Sequence, residues 1–551
     1  MLNFKIFCKN NISFLNLVFL IIFTLYIIKR SFSTDIIWWY DLALYHDQNK
    51  IIFQDYFCHV FNFGIIPFHY FSKIFGFKFS VYLFTFILGH FYAYFLSLIL
   101  KNYFAIKGFF EIYLINFFFF IPFSIGVFYL DQLAILFILL TLFFFTKKKQ
   151  INLIFSSLFL TISFFIKFYY IIPYIVFCIL LFIISFLTKN FILIKKLLLQ
   201  FLFCILFFLV FLFLFKLNFS NIDIFYDYMF NNNEKFTKGR FDKFFIKILF
   251  LQYNPFSIIK NFNMGSMFLY PFIVSYYFGI FLIVVKVFKL KINYTSINEF
   301  KLMILLFFTV SAPIYFIIAG RDWNHKLYFM VPLFLIVVDK LFLFFKNKNL
   351  NLSNYKKLIF FFLILYSLVP LNERYDLKSS IFSNNATGRE EIVLNNKYSD
   401  FLFFTKSSYL GNNNVKNIDF QKKQAADFII KNNFNNLPIF SIDEPSKLIK
   451  LHLNSQTCDI GCYNYLGHNP PNTDKSLKKY LKLFDNQIKK NAIIIICKVN
   501  DDHFCLPSAD IYNKSVPTSK NNDIIKQILL LMKQNNFIEI YNTENFFIYK
   551  N

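Results

Sequence analysis

Apolar residues gather in long runs, near 11–29, 79–100, 109–128, 130–146, 151–167, 169–188, 197–216, 267–288, 302–319, 327–345 and 357–371. Each run approaches the ~20 residues that a helix needs to cross ~30 Å of hydrocarbon, so the pattern predicts about eleven spanning helices. No small-residue cleavage site follows the first run, which therefore reads as a retained signal-anchor helix. Beyond about residue 376 the runs stop and shorter helix and strand patterns alternate. QKKQAADFIIKNN reads as an amphipathic helix before the strand LPIFSI, and SLKKYLKLFDNQIKKN as a helix before the buried strand AIIIICKV. A last helix and a terminal hairpin complete a region of about 175 residues, enough to bury a core of its own.

The expected architecture is thus an α-helical polytopic membrane protein, residues 1–375 with exterior loops at 30–78 and 217–265, followed by a soluble α/β domain over 376–551. With 57% hydrophobic residues in 551, arranged in such runs, the chain is excluded from the soluble globular class. The formal charge of +26 does not call for nucleic acid, because the lysines cluster in short segments between apolar runs. Lys101 and Lys107, Lys147 to Lys149, Lys189 with Lys195 and Lys196, Lys286 to Lys291, and Lys340 to Lys357 all fall on one side of the predicted topology. By the positive-inside rule that side is cytoplasmic, as is the N-terminus with Lys5 and Lys9. Lys29 and Arg30, at the exterior end of the first run, are exceptions. An odd number of spans then sets the C-terminal region outside the cytoplasm.

Against that background the insert behind the first run stands out, with Asp35, Asp41, Asp47 and Asp55 set among tryptophans, tyrosines and histidines. Carboxylates beside a bilayer are costly to keep, which makes them candidates for chemistry at the membrane face. Transfer of a sugar from a lipid carrier needs a carboxylate to take the acceptor's proton and cations to hold the donor phosphate. The exterior turns carry both: acids at Asp41, Asp55 and Asp131, and donors at Lys167, Arg321, His325 and Lys326. Each has a structural alternative. Asp41 can cap an interfacial helix, Asp55 can pair with Lys50 or Lys73, and Asp131 can cap the helix it opens. Lys167 can snorkel to the interface, and Arg321 can pair with Asp322. His59 and His69 read as interfacial, since neither shows the spacing of a metal site. Cys458, Cys462, Cys497 and Cys505 can form two disulfides in an oxidising space, with three connectivities, whereas the CxxxC spacing is weak support for zinc.

The order Asp41, Gln54-Asp55-Tyr56, Pro67 and Phe75-Gly76 between two apolar runs resembles the first periplasmic loop of the GT-C superfamily of glycosyltransferases, among them the aminoarabinose transferase of lipid A and the protein O-mannosyltransferases. YLDQLAILF at 129–137, SLFLTISFFIKFYYIIP at 157–173 and RDWNHKLYFMVPLFL at 321–335 are similar to later family elements, so the resemblance covers about residues 1–345. Two departures are that Leu42 follows Asp41 where the family often has a second acid, and that Asn49 or Lys50 stands for the usual glycine.

The resemblance implies an inverting membrane glycosyltransferase of the bacterial inner membrane. It would move a sugar from a polyprenyl-phosphate donor to an extracytoplasmic glycan, lipid or protein acceptor, without a cofactor; the family divides on divalent metal, and none is expected here. Asp41 is the expected base with Asp55 or Asp131 in support, and Lys167, Arg321 and His325 are the expected phosphate ligands. A lipid-linked saccharide flippase and a non-catalytic membrane scaffold are the competing classes. The flippase predicts charges deep in many helices or an internal repeat, and the chain has neither.

Overall fold

The computed structural model describes residues 45–58, 61–103, 129–227, 264–289, 296–318, 328–339, 389–391, 403–405, 424–441, 473–489, 491–497, 518–543 and 546–551, with a few isolated positions. These residues are mostly helical, with a few strands. In chain order the first helices are α1 (Ile66–Phe75), α2 (Phe77–Tyr103), α3 (Tyr129–Phe145), α4 (Gln150–Ile166), α5 (Ile172–Leu187) and α6 (Phe191–Leu214). There follow α7 (Phe219–Tyr226), α8 (Met264–Lys289), α9 (Ser296–Ile318) and α10 (Tyr328–Asp339). The C-terminal region adds β1 (Arg389–Glu391), β2 (Phe403–Thr405), α11 (424–431), β3 (Ile439–Ser441), α12 (Asp474–Ile488), β4 (Ile493–Cys497), α13 (Thr518–Gln534), β5 (Ile538–Asn542) and β6 (Phe546–Lys550).

Among the described residues two helical stretches, Phe168–Leu187 and Phe191–Leu214, are long and apolar enough to cross a membrane. Shorter apolar helices run over Ile87–Leu100, Leu130–Phe145, Gln150–Ile166, Phe272–Val285, Leu302–Tyr315 and Tyr328–Asp339. The apolar runs at 11–29, 109–128 and 357–371 lie outside the described residues.

The chain divides into two compact units. The first comprises Met1–Ser31, Tyr82–Val210 and Arg240–Ala386. Its helices are joined by small hydroxyl residues that reach neighbouring backbones. Ser156 Oγ donates to Thr141 O at 2.9 Å and Ser163 Oγ to Ala134 O at 3.1 Å, zipping α3 to α4 as an antiparallel hairpin. Gln200 of α6 donates to Ser156 Oγ and to Tyr174 Oη, both at 2.9 Å, and its carbonyl accepts from Ser157. Small residues allow these helices to approach closely, and the hydrogen bonds fix their register. Gly279 is a second close approach: a Cβ there would meet Thr309 Oγ1 at 2.9 Å and Leu333 Cδ1 at 3.0 Å.

The second unit comprises Phe32–Val81, Phe211–Gly239 and Thr387–Asn551. Its main sheet has the order β3-β4-β6-β5, with β3 parallel to β4 and the other two pairings antiparallel. Ile493 and Ile495 of β4, Phe546 and Ile548 of β6, Ile439 of β3 and Ala425, Ala426 and Ile429 of α11 form its core. On α12 the buried positions Ser476, Tyr480, Phe484 and Ile488 recur every fourth residue and so share one face. Thr473 caps α12 by accepting from Ser476 N, and the same hydroxyl donates to Asp227. Lys475 pairs with Asp223 of α7, and Tyr480 meets Phe57 at 6.4 Å between ring centroids. The insert after the first apolar run and the C-terminal region therefore belong to one compact unit.

Candidate functional site

Lys167 owes its position to a break between two helices. The run IKFYYIIP cannot continue α4, because Pro173 lacks an N–H and its ring crowds the preceding turn. α4 ends at Ile166, Lys167 turns extended at φ −156° and ψ 95°, a 3-10 turn covers Phe168–Ile171, and α5 restarts with Pro173 in its first turn. The extended residue carries its side chain away from the α4 axis. The antiparallel hairpin with α3 then decides what it meets: the two serine bonds and the start of α3 fall in one register, with partners equidistant from the Lys147–Lys149 turn. In that register Lys167 lies opposite Asp131 in the first turn of α3, and the two form a buried ion pair, 6% and 3% exposed.

Aromatic side chains surround the pair. Lys167 Nζ stands 5.2 Å from the centroid of Tyr169 and 5.6 Å from that of Tyr170, favourable cation–π distances. Tyr170 packs on Tyr315 of α9 at 4.9 Å, and Tyr315 on Phe329 of α10 at 4.8 Å. Tyr92 of α2 donates to Tyr328 O at 2.6 Å. Asp131, Tyr169, Tyr328 and Tyr92 are all electrostatic neighbours of Tyr315. Five elements thus converge on one buried charged pair, and deeply buried ionisable groups of this kind are expensive unless they are paired or serve a purpose.

The second unit holds the other described candidates. Asp55 Oδ2 accepts from Ile51 N at 2.7 Å and closes the turn 51–56 on itself, so here its carboxylate fastens backbone and does not pair with Lys50 or Lys73. The turn is strained. Phe53 takes φ +64°, a region that bulky residues avoid, and it is held there by ring contacts with Phe57, Phe61 and Phe225 at 6.4, 6.2 and 5.4 Å. Lys73 pairs instead with Asp47, at 2.9 Å, and buried His69 Nε2 meets the same Oδ2 at 2.7 Å. Partial burial alone would raise the Asp47 carboxyl, but the hydrogen bonds and charges of Lys73 and His69 outweigh it and hold the group below its ordinary range. At Gly76, between α1 and α2, the backbone takes φ +80° and ψ 153°, a combination essentially restricted to glycine.

Of the residues singled out from the sequence, Asp131 and Lys167 come together and Asp55 stands in the other unit. Asp35, Asp41, His59, Arg321, His325, Cys458, Cys462 and Cys505 lie outside the described residues, as does the side chain of Cys497. Sequence reasoning missed the contribution of Tyr92, Tyr170 and Tyr315, whose tyrosine hydroxyls are indistinguishable by composition from the other aromatic positions of the apolar runs. It also missed Cys58, which is disulfide-bonded to a partner outside the described residues. Cys178 and Cys204 are free thiols. Among the described residues no group of three or more His, Cys, Asp or Glu side chains is arranged to hold a metal ion. In comparisons with known proteins, no family model matches the chain and no curated protein matches it.

Proposed function

We propose that the chain is a polytopic glycosyltransferase of GT-C type that transfers a sugar from a polyprenyl-phosphate carrier to an acceptor outside the cytoplasm. The observation that carries this reading is the buried Asp131–Lys167 pair with its shell of tyrosines. It stands at the end of the α3–α4 hairpin opposite the Lys147–Lys149 turn. Seventeen residues of α4 separate the two, about 25 Å at 1.5 Å per residue, close to the thickness of a hydrocarbon layer. With the lysine turn cytoplasmic by the positive-inside rule, the pair falls at the exterior face, where a lipid-linked donor presents its phosphate.

In the inverting reaction the acceptor oxygen forms a bond to the sugar's anomeric carbon as the bond from that carbon to the phosphate oxygen breaks. The acceptor's proton passes to a carboxylate, and polyprenyl phosphate leaves with the electron pair. Asp41 serves as that carboxylate, with Asp131 in support. Lys167, already neutralised by Asp131, shares its remaining donors with the phosphate, so the net positive charge comes from Arg321 and His325. These two belong to the nine-residue connection between Ile318 and Tyr328, flanked by Tyr315 and Tyr328 of the tyrosine shell.

The test is binding of a radiolabelled polyprenyl-phosphate sugar to the full chain in lipid nanodiscs. Saturable binding that is lost in Arg321→Ala, with transfer abolished but binding retained in Asp41→Asn, is the expected outcome. A wild-type chain that binds no such lipid overturns the reading.

A further inference from the structure

Two buried tyrosines of the first unit show how such a hydroxyl is ordinarily satisfied. Tyr92 donates to Tyr328 O at 2.6 Å, and Tyr174 exchanges hydrogen bonds with Gln200. Tyr315 is different. It is fully buried, its ring is fixed between Tyr170 and Phe329, and among the described residues its hydroxyl has no hydrogen-bond partner. Ser311, four residues earlier and also fully buried, has an unpartnered hydroxyl as well. Residues four apart share a helix face, so α9 presents two unspent donors along one line, one helical turn apart.

Their cause is local. Threonines and serines inside apolar helices commonly turn back to the carbonyl four residues before, as Thr309 does to Leu305 O at 2.7 Å. Ser311 does not, and Pro313 stands between it and Tyr315, so this segment of α9 is irregular by sequence. A buried hydroxyl without a partner is disfavoured in a folded chain, and its usual explanation is a ligand or water that completes it. The Tyr170 ring links this line to the ion pair, with Tyr315 on one side at 4.9 Å and Lys167 Nζ at 5.6 Å from the same centroid. Hydroxyl donors beside a lysine suit an anion with several acceptor oxygens. A metal ion would need acceptors, which this line of hydroxyls beside a lysine supplies poorly.

Resting on the function proposed above, we propose that Tyr315, with Ser311 one turn behind it, is a phosphate-positioning residue that donates its hydroxyl hydrogen to the polyprenyl-phosphate donor. Tyr315→Phe removes that hydrogen and leaves the ring contacts in place. In a titration of the full chain in nanodiscs with undecaprenyl phosphate, the variant is expected to bind about ten-fold more weakly. Its thermal stability should stay equal to wild type or rise, because an unsatisfied buried group is gone. Equal affinity in wild type and Tyr315→Phe overturns this inference, since a hydroxyl met only by water or by strain has no effect on the lipid, and leaves the proposed function standing. No binding by the wild type overturns both. Should Tyr315→Phe fail to fold, Ser311→Ala in the same titration decides by the same two outcomes.

Discussion

Asp131 and Lys167 illustrate how a charge inside an apolar unit acquires meaning only with its partner. Each interrupts an apolar run and was visible in the sequence as a lone anomaly, one read as an acid and the other as a phosphate ligand. Their pairing was not visible, because 36 residues separate them and the register of the α3–α4 hairpin joins them. Two serine bonds set that register, and Ser156 and Ser163 look like any other small residues in a helix. Asp55 shows the same gap at shorter range: the sequence sets it between Gln54 and Tyr56 but does not state that its carboxylate accepts from the Ile51 backbone N–H. The pair makes a prediction that separates structure from chemistry. Asp131→Asn or Lys167→Met alone leaves one buried charge uncompensated and should cost about 3–5 kcal/mol, while the double variant, with no charge left, should recover most of it. Thermal unfolding of the three variants in detergent measures the coupling. A double variant as unstable as either single one would show that the pair is not the unit that matters; a double variant that unfolds near the wild-type temperature is the expected result.

Elements rather than residues account for most of what was legible. Apolar runs of helix length, the fourfold spacing of Tyr480, Phe484 and Ile488, and the uninterrupted AIIIIC strand state their own geometry, and α12 and β4 lie where those patterns put them. What the patterns do not carry is which elements pack together. The contact of Phe57 with Tyr480 and the bond of Thr473 to Asp227 cross hundreds of residues, and no local periodicity encodes them. The Asp47–His69–Lys73 cluster has the same character, since it ties the turn after Tyr45 to helix α1. Because the Asp47 carboxyl is held below its ordinary value of 3.8, its contribution to stability is fully present above that pH and is lost as the pH falls through the lowered value. Pepsin, which is active in acid, should therefore begin to cut between Tyr45 and Phe75 as the pH drops below about 3.8, and Asp47→Asn should be cut there at every pH tested. An unchanged cleavage profile in the variant would show that the cluster does not hold the segment.

Orientation is the property of the whole molecule on which a lipid-linked chemistry depends, because polyprenyl-phosphate donors of this kind are used on the exterior face. Two independent features argue for it. The net charge of +26 is concentrated in the short segments that the positive-inside rule retains in the cytoplasm, and the second unit carries a disulfide at Cys58 whereas Cys178 and Cys204 of the first are free. Disulfides persist in oxidising compartments and thiols in reducing or lipid-shielded ones, so the cysteines divide in the same sense as the lysines. A chain of the opposite orientation would expose Cys58 to cytosolic reductant and its basic segments to the exterior. Alkylation of the denatured protein before and after reduction, read by peptide mass, should find Cys178 and Cys204 labelled at once and Cys58 labelled only after reduction. A C-terminal alkaline phosphatase fusion, active only outside the cytoplasm, should be active while the matching fusion after Lys149 is not. Cys58 labelled without reductant, together with an inactive C-terminal fusion, would put the second unit in the cytoplasm and remove the exterior face from which the proposed transfer takes place.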